Sequence, residues 1–371
     1  MLPAEPLVLR SPSGGRVETG TPVVLAPMAG VTNAAFRTLC REQGAGLYLC
    51  EMITSRGLVC GDRRTDAMLT FFDEERIRSV QTYGTNPPVV ARAVELLCTR
   101  HGAAHVDLNL GCPVPKVTRK GGGGVLPWKI GLVREIITAA VRAGDRHGVP
   151  VTVKTRIGID EGHTMWRDVA DIAQEAGAAA ICLHARTVEE AYSGHAHWDV
   201  IAELVDRVDI PVLGNGDIWE AGDAVSMMER TGCAGVEIGR GCLGRPWLFA
   251  DLAAAMAGVE RLTLPTLGEI CRTVRRHGEL LARQMGERHG LTDLRKHMTW
   301  YFKGFPVGGE LRHALGMIDS FERLDELLAA LVDKAGGDCP YPVRELGRPR
   351  GRQGSARRRV AMPTGWLDDR D

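Results

Sequence analysis

The chain has 371 residues, 44% of them hydrophobic, and its 46 Lys and Arg balance 46 Asp and Glu. That length allows one large domain and a smaller one with sizeable cores, while the absence of an apolar run of about 18 residues argues against a membrane-spanning helix. Ten cysteines without a C-x-x-C pair or a metal-like Cys/His spacing argue against a metal site and fit a reduced cytoplasmic protein.

Residues 1–20 (MLPAEPLVLRSPSGGRVETG) lack an apolar stretch long enough for a signal peptide and read as an N-terminal extension. From there, short apolar, β-branched runs recur: VVLAPM (Val23–Met28), LYLCEMI (Leu47–Ile53), RSVQTYG (Arg78–Gly84) and HVDLNLGC (His105–Cys112). VTVKTRIG (Val151–Gly158), AICLHART (Ala180–Thr187), PVLGNGD (Pro211–Asp217) and GVEIGRG (Gly235–Gly241) follow. Most gaps hold one helical pattern, such as PPVVARAVELLCTRHG. Strands alternating with helices at this pace predict βα units on a parallel sheet, and eight of them over residues 21–258 predict a closed (β/α)₈ TIM barrel, an α/β fold.

The polar residues of these runs come late: Glu51, Gln81, Asn109, Lys154, His184, Asn215 and Arg240. Strands buried on both faces should be apolar throughout, so polar residues placed early would be buried without partners. At the C-terminal ends they line the rim where such barrels keep their active sites. The longest spacing between strands, 46 residues, follows His105 and contains "VDLNLGCPVPKVTRKGGGG". It sets Cys112 on the rim, ahead of a long loop with Lys116, Arg119, Lys120 and Gly121–Gly124.

After Trp247 the strand signal disappears. Residues 265–335 are helical in pattern and predict a small C-terminal helical domain. Nine Lys/Arg against four Asp/Glu between Arg272 and Arg312 suggest a polyanionic partner there, unless the basic residues form a solvated helical face. Residues 336–371 are dominated by Pro, Gly and Arg and read as a flexible tail.

GRGCLG (Gly239–Gly244) matches G-x-G-x-x-G, but it follows the eighth strand and no acidic-ended strand comes after it, against a dinucleotide fold. Glycine-rich loops after the seventh strand (GNGDI) and the eighth (IGRG) instead favour a phosphate held by backbone N–H groups and Arg240, over plain tight turns. Lys154, at the end of a buried strand, needs an anionic partner. His184 has two readings, a satisfied core histidine or a ligand contact; its rim position beside Arg186 favours the second. Cys112, between Gly111 and Pro113 and close to Asn109, is either a small buried hydrophobe or an acid kept protonated at neutral pH.

Taken together, APMAGVTNAAFR, VQTYG, NLGCPVPKV, VKTRIG, HART, GNGDI and IGRG, in order from Val23 to Phe249, resemble the tRNA-dihydrouridine synthases. DLRKHMTWYFKG (Asp293–Gly304) resembles the helical domain of the bacterial B-type subfamily. The resemblance implies a monomeric flavin enzyme that uses NADPH to reduce the C5–C6 double bond of chosen uridines in tRNA. It implies that Pro27, Met28, Ala29 and Gln81 contact FMN, that Lys154 faces the N1/O2 edge of its ring, and that His184 lies near flavin and base. Asn215, Gly216, Asp217, Gly239 and Arg240 would hold the phosphate end. Asn109 would orient the uracil, Lys116 and Arg186 would touch the substrate, and Cys112 would give the C5 proton after hydride passes from flavin N5 to C6. The sequence departs from the family at KGGGG, where relatives usually place alanines among the glycines, and the arginine-rich tail lies outside the pattern. Two rival functions are a flavin barrel acting on a free pyrimidine and an RNA-binding protein on a barrel scaffold.

Overall fold

The structure is a computed structural model that describes residues 3–350 and 359–371. All eight expected strands form, at Val23–Leu25, Leu47–Tyr48 with Ile53–Thr54, Ser79–Tyr83, His105–Leu110, Val151–Arg156, Ile181–His184, Val212–Asn215 and Gly235–Ile238. They pair in parallel in chain order, and the eighth returns to the first through Val236↔Val23. The second strand closes the barrel although it is broken. Leu47 and Tyr48 pair with the first strand, Leu49 bridges to Ser79, and Ile53 and Thr54 pair with the third. Most strands stop two or three residues short of the apolar runs, because the last residues of each run leave the ladder to form the rim.

Helices surround the sheet and are started by local chemistry. Asn33 accepts from the Phe36 N–H to cap Ala34–Glu42, and Asn86 with Pro87 starts Pro87–Arg100. An N-terminal hairpin, Val8–Arg10 with Arg16–Glu18, closes the lower mouth: Leu7, Leu9 and Val17 pack on Val24, Leu47, Ala180 and Leu213. The upper mouth therefore is the open end.

Helices Leu267–Met285, Glu287–Tyr301, Gly309–Leu315 and Phe321–Ala335 occupy the region read as helical. They share one apolar core with the barrel, in which Ala34, Ala35, Phe72 and Trp247 join Leu281, Leu291, Leu294 and Leu331. Gly244, the last glycine of GRGCLG, has φ +66° and lies against the Trp300 backbone, where a Cβ would come within 2.3 Å of the carbonyl carbon. That glycine serves the approach of a helix rather than a nucleotide.

The tail read as flexible makes contacts with the rest of the molecule where it is described. Tyr341 and Arg350 are buried, and the Arg350 guanidinium donates to the Tyr341 hydroxyl and the Trp300 carbonyl. Residues 359–371 return to the barrel, with the Trp366 indole donating to the Val125 carbonyl at 2.9 Å. Each described stretch sets one aromatic ring against the rest of the molecule, Tyr341 buried and Trp366 half-buried. Arg352, Arg357 and Arg358 lie outside the described residues. No helix among the described residues is long and apolar enough to cross a membrane.

Candidate active site

Parallel pairing sets the rim residues side by side. Asn109 pairs with Lys154, Lys154 with Cys182, Arg156 with His184, His184 with Asn215, and Asn215 with Glu237. Side chains two apart on one strand share a face, so these point together into the upper barrel.

Lys154 is at the centre. Its Nζ donates to Asn215 Oδ1 and Glu237 Oε2, both at 3.1 Å, and reaches Cys182 Sγ at 3.2 Å. Burial alone pulls its pKa down, but Cys182 and Glu237 outweigh burial and hold the ammonium above its ordinary value. Burial first, then Glu237, raises the Cys182 thiol, which donates to Glu237 Oε2 at 2.6 Å. Glu237 is the anion Lys154 needs; it is 3% exposed, and its Oε1 lacks a hydrogen-bond partner.

A chain of hydrogen bonds runs from the barrel interior to Cys112. The Ser79 hydroxyl and His105 Nδ1 are 2.6 Å apart, and His105 Nε2 lies 2.9 Å from Thr152 Oγ1. Thr152 donates to Asp107 Oδ1 at 2.5 Å, and Gln81 Nε2 donates to Asp107 Oδ2 at 2.7 Å. Burial lowers the His105 pKa to about 3, so the ring is neutral. Burial, helped by Glu237, raises Asp107 to about 7. Asn109 Nδ2 donates to Gln81 Oε1 at 2.9 Å, and Asn109 Oδ1 accepts from the Gly111 and Cys112 N–H groups at 3.2 and 2.9 Å. Asn109 thus holds the turn that presents Cys112 and keeps one amide hydrogen for a ligand. Early polar residues such as His105 and Asp107 correct the expectation that such groups would lack partners: they satisfy one another across neighbouring strands.

Cys112 is partly exposed on the rim. Burial of its flank raises the thiol, despite lowering contributions from the Val114 N–H and Arg156. Arg156 ties the Cys112 loop to the far wall, since its Nε donates to the Gly111 carbonyl and its Nη1 to those of Thr187 and Ala191. Lys116 is exposed on the short helix Pro115–Thr118 that follows.

The seventh and eighth strands end in the glycine loops. Gly216 has φ +128°, and a Cβ there would meet Ala196 Cβ at 2.8 Å. Arg186, 1% exposed, donates to the Ser193 and Gly194 carbonyls and to both Asp217 oxygens. Its Nη1 is buried without a hydrogen-bond partner and faces Gly216. Asp217 also accepts from the Ala196 N–H. Its carboxylate therefore shapes the loop through Arg186. The Arg240 guanidinium lies 4.6 Å from the Tyr192 ring centroid and 5.0 Å from that of Trp219. Beside Gly216, the His184 pKa is lowered well below its ordinary value, by burial first and then by Arg156, Lys154, Arg186 and Arg240, so the imidazole is neutral at pH 7. An orphaned buried Arg N–H, a second guanidinium and a glycine floor suit an anionic group such as a phosphate. The loop after the first strand borders the site: the Met28 N–H donates to Thr32 Oγ1, while Pro27 is half-buried and Ala29 exposed.

Sequence reasoning missed Asp107, Arg156, Cys182, Tyr192 and Glu237. For four of these a signal existed in the alternation His105-Asp107-Asn109, Lys154-Arg156 and Cys182-His184 and in the acid inside GVEIGRG, a period-two repeat that marks an inward face. Tyr192 lies on a loop and carried none.

The family model described as dihydrouridine synthase (Dus) matches residues 24–335. A probable tRNA-dihydrouridine synthase of Mycobacterium tuberculosis (strain ATCC 25618 / H37Rv) is 52% identical over 365 residues, 96% of this chain and 92% of that protein. The probable tRNA-dihydrouridine synthase of Mycobacterium leprae (strain TN) is 48% identical over 94% of this chain and 96% of its own. A tRNA-dihydrouridine synthase B from Xanthomonas campestris pv. campestris is 38% identical over 321 residues, 86% of this chain and 96% of that one. Matches of this identity along nearly the whole length, over a barrel whose polar rim converges on Lys154 and Cys112, establish that the chain is an enzyme of the tRNA-dihydrouridine synthase family.

Proposed function

We propose that this chain reduces the C5–C6 double bond of selected uridines in tRNA to dihydrouridine, with FMN as cofactor and NADPH as reductant. Bound FMN would supply hydride to uracil C6. The phosphate end would lie on Gly216 and Gly239 with Arg240 and the buried Arg186 N–H. Lys154 would meet the N1/O2 edge with a cation already fixed by Asn215 and Glu237, and Pro27, Met28, Ala29 and Gln81 would border the ring.

The chain's own contribution at the base is acid catalysis. Hydride at C6 leaves negative charge at C5, conjugated with the C4 carbonyl. The Cys112 thiol, protonated because burial raises it, gives its proton to C5, and the thiolate regains one from solvent. The neutral His184 imidazole and the remaining Asn109 amide hydrogen can hold uracil carbonyls. The target base must leave the RNA stack, at a cost of about a few kcal/mol. Phosphate contacts from Lys116 and exposed arginines of the helical region would offset that.

The observation that carries this reading is Cys112, presented on an Asn109-held turn at the rim above Lys154. The test follows reoxidation of NADPH-reduced protein by tRNA lacking dihydrouridine and by free uracil, then maps the modified position. Rapid reoxidation by tRNA alone supports the proposal. Failure to bind flavin, or preference for free uracil, would overturn it.

A further inference from the structure

The C-terminal residues 359–371 sit directly on the loop that follows Cys112. The Trp366 ring packs against Gly121, which has φ +72°; a Cβ there would come within 2.5 Å of the ring. The same indole donates to the Val125 carbonyl at 2.9 Å. Val360, Met362 and Leu367 join Trp366 in an apolar cluster with Val125, Ile159 and Met165. Beyond the tryptophan the segment is fastened: Lys129 Nζ donates to the Asp369 carbonyl at 2.9 Å, the Ile130 N–H to the Arg370 carbonyl at 2.8 Å, and Arg370 to Asp168 at 2.7 Å.

The covered loop bears on Cys112. The Gly124 N–H donates to the Cys112 carbonyl at 3.0 Å. Gly123, with φ +59°, is so close that a Cβ would lie 2.6 Å from that oxygen and 3.0 Å from Cys112 Cβ. Asn109 therefore fixes one side of the Cys112 backbone and Gly123–Gly124 the other. Four consecutive glycines carry no side chains to fix themselves and have the largest backbone freedom to lose. Within the loop the Gly121 and Gly122 N–H groups donate to the Thr118 and Val117 carbonyls, and the Trp366 indole, packed against the first glycine and bonded to the residue after the last, adds the contact from outside.

We infer that Trp366 is a positioning residue for Cys112, acting through the Gly121–Val125 loop from a C-terminal segment that straps across it. The catalytic consequence rests on the reading of Cys112 as the acid; the effect on the loop does not. The test uses the full chain with flavin bound and compares wild type with Trp366→Ala, Trp366→Phe and Gly121→Ala. Hydrogen exchange in residues 120–126 should be about tenfold faster or more in Trp366→Ala, with the sheet unchanged. Trp366→Phe, which keeps a ring on Gly121, should restore much of the protection. Gly121→Ala, which forces the ring away, should match Trp366→Ala and serves in its place if that variant does not fold. Alkylation of Cys112 should quicken, and reoxidation by tRNA should fall more than reduction by NADPH. Unchanged loop exchange in folded Trp366→Ala, or acceleration spread evenly over the barrel, would overturn the inference. Normal reoxidation in Cys112→Ala would instead remove the acid reading and leave the loop result standing.

Discussion

Cys112 and Lys154 place opposite demands on their surroundings, and each side chain is held in the state its proposed task needs. An acid must keep its proton, and flank burial raises the Cys112 thiol. Cys112→Ala should leave flavin bound and reducible while slowing reoxidation by tRNA about 10²–10⁴-fold, the usual worth of a general acid. Stopped-flow measurement of the two half-reactions separates them, and near wild-type reoxidation would exclude the thiol from the chemistry. Because the acid form is the active one and its pKa is raised, the tRNA-dependent rate should stay level with pH to at least the ordinary thiol range, about 8.5, and fall only above it. A fall beginning near pH 7 would contradict that. Lys154 is the reverse case, a cation kept charged by a buried carboxylate. Lys154→Ala should weaken flavin binding, and it leaves Glu237 without its cation, so a loss of about 3–5 kcal/mol of stability is expected from denaturant titration. Unchanged stability together with unchanged flavin affinity would show that neither role is correct.

Between residues and the whole molecule, the strand ends and their loops decide which side chains meet. The period-two pattern of His105, Asp107 and Asn109 was readable, and with it the inward face of the fourth strand. Register was not readable, because alternation along one strand says nothing about how far its neighbour is shifted. Only the pairing of Lys154 with Asn109 on one side and Cys182 on the other puts Glu237 within reach of the ammonium. Gly244 belongs to this scale. Its φ of +66° and the Trp300 backbone against it leave no room for a methyl group, so Gly244→Ala should lose at least about 2 kcal/mol and loosen the helix Glu287–Tyr301. A urea midpoint equal to wild type would refute the close approach.

At the scale of the molecule, the helical region cannot simply be removed. Its core includes Phe72 and Trp247 of the barrel, so truncation near residue 265 would expose that surface. Several of its basic residues are also engaged: Arg276 pairs with Glu42, Arg283 with Glu74 and Lys303 with Glu345. Charge reversal is the sounder test of tRNA binding. Arg272 and Arg288 are exposed and make no ion pair among the described residues. Changing both to Glu should weaken tRNA affinity and flatten its dependence on salt, while NADPH oxidation is kept. An unaltered salt slope would place the RNA elsewhere. The junction also buries His277, bonded to the Tyr301 hydroxyl at 3.1 Å, and burial lowers its pKa from 6.5 to about 3. The folded state excludes a proton that the unfolded chain accepts. The contribution is thus intact above pH 6.5 and is lost as pH falls towards 3, by roughly tenfold in the folding equilibrium per pH unit. Stability of His277→Phe should therefore fall less steeply than wild type over that window, and parallel curves would mean that His277 stays protonated when folded.

By itself the sequence determined the eight βα units, the rim position of their late polar residues, the helical region and the cysteine between Gly111 and Pro113. Those features depend on periodicity, spacing and local residue chemistry, which are written along the chain. The tertiary structure alone decided the pairing of Lys154 with Glu237, 83 residues later, the chain of bonds from Ser79 to Cys112, and the internal duty of Arg186 on Asp217. It also decided the fate of the tail. Composition predicted a loose segment, but Trp366 finds Gly121 and Val125, 241 residues back from its indole bond. Contacts between residues so far apart depend on strand register and on how helices return over the barrel, and no local pattern encodes either.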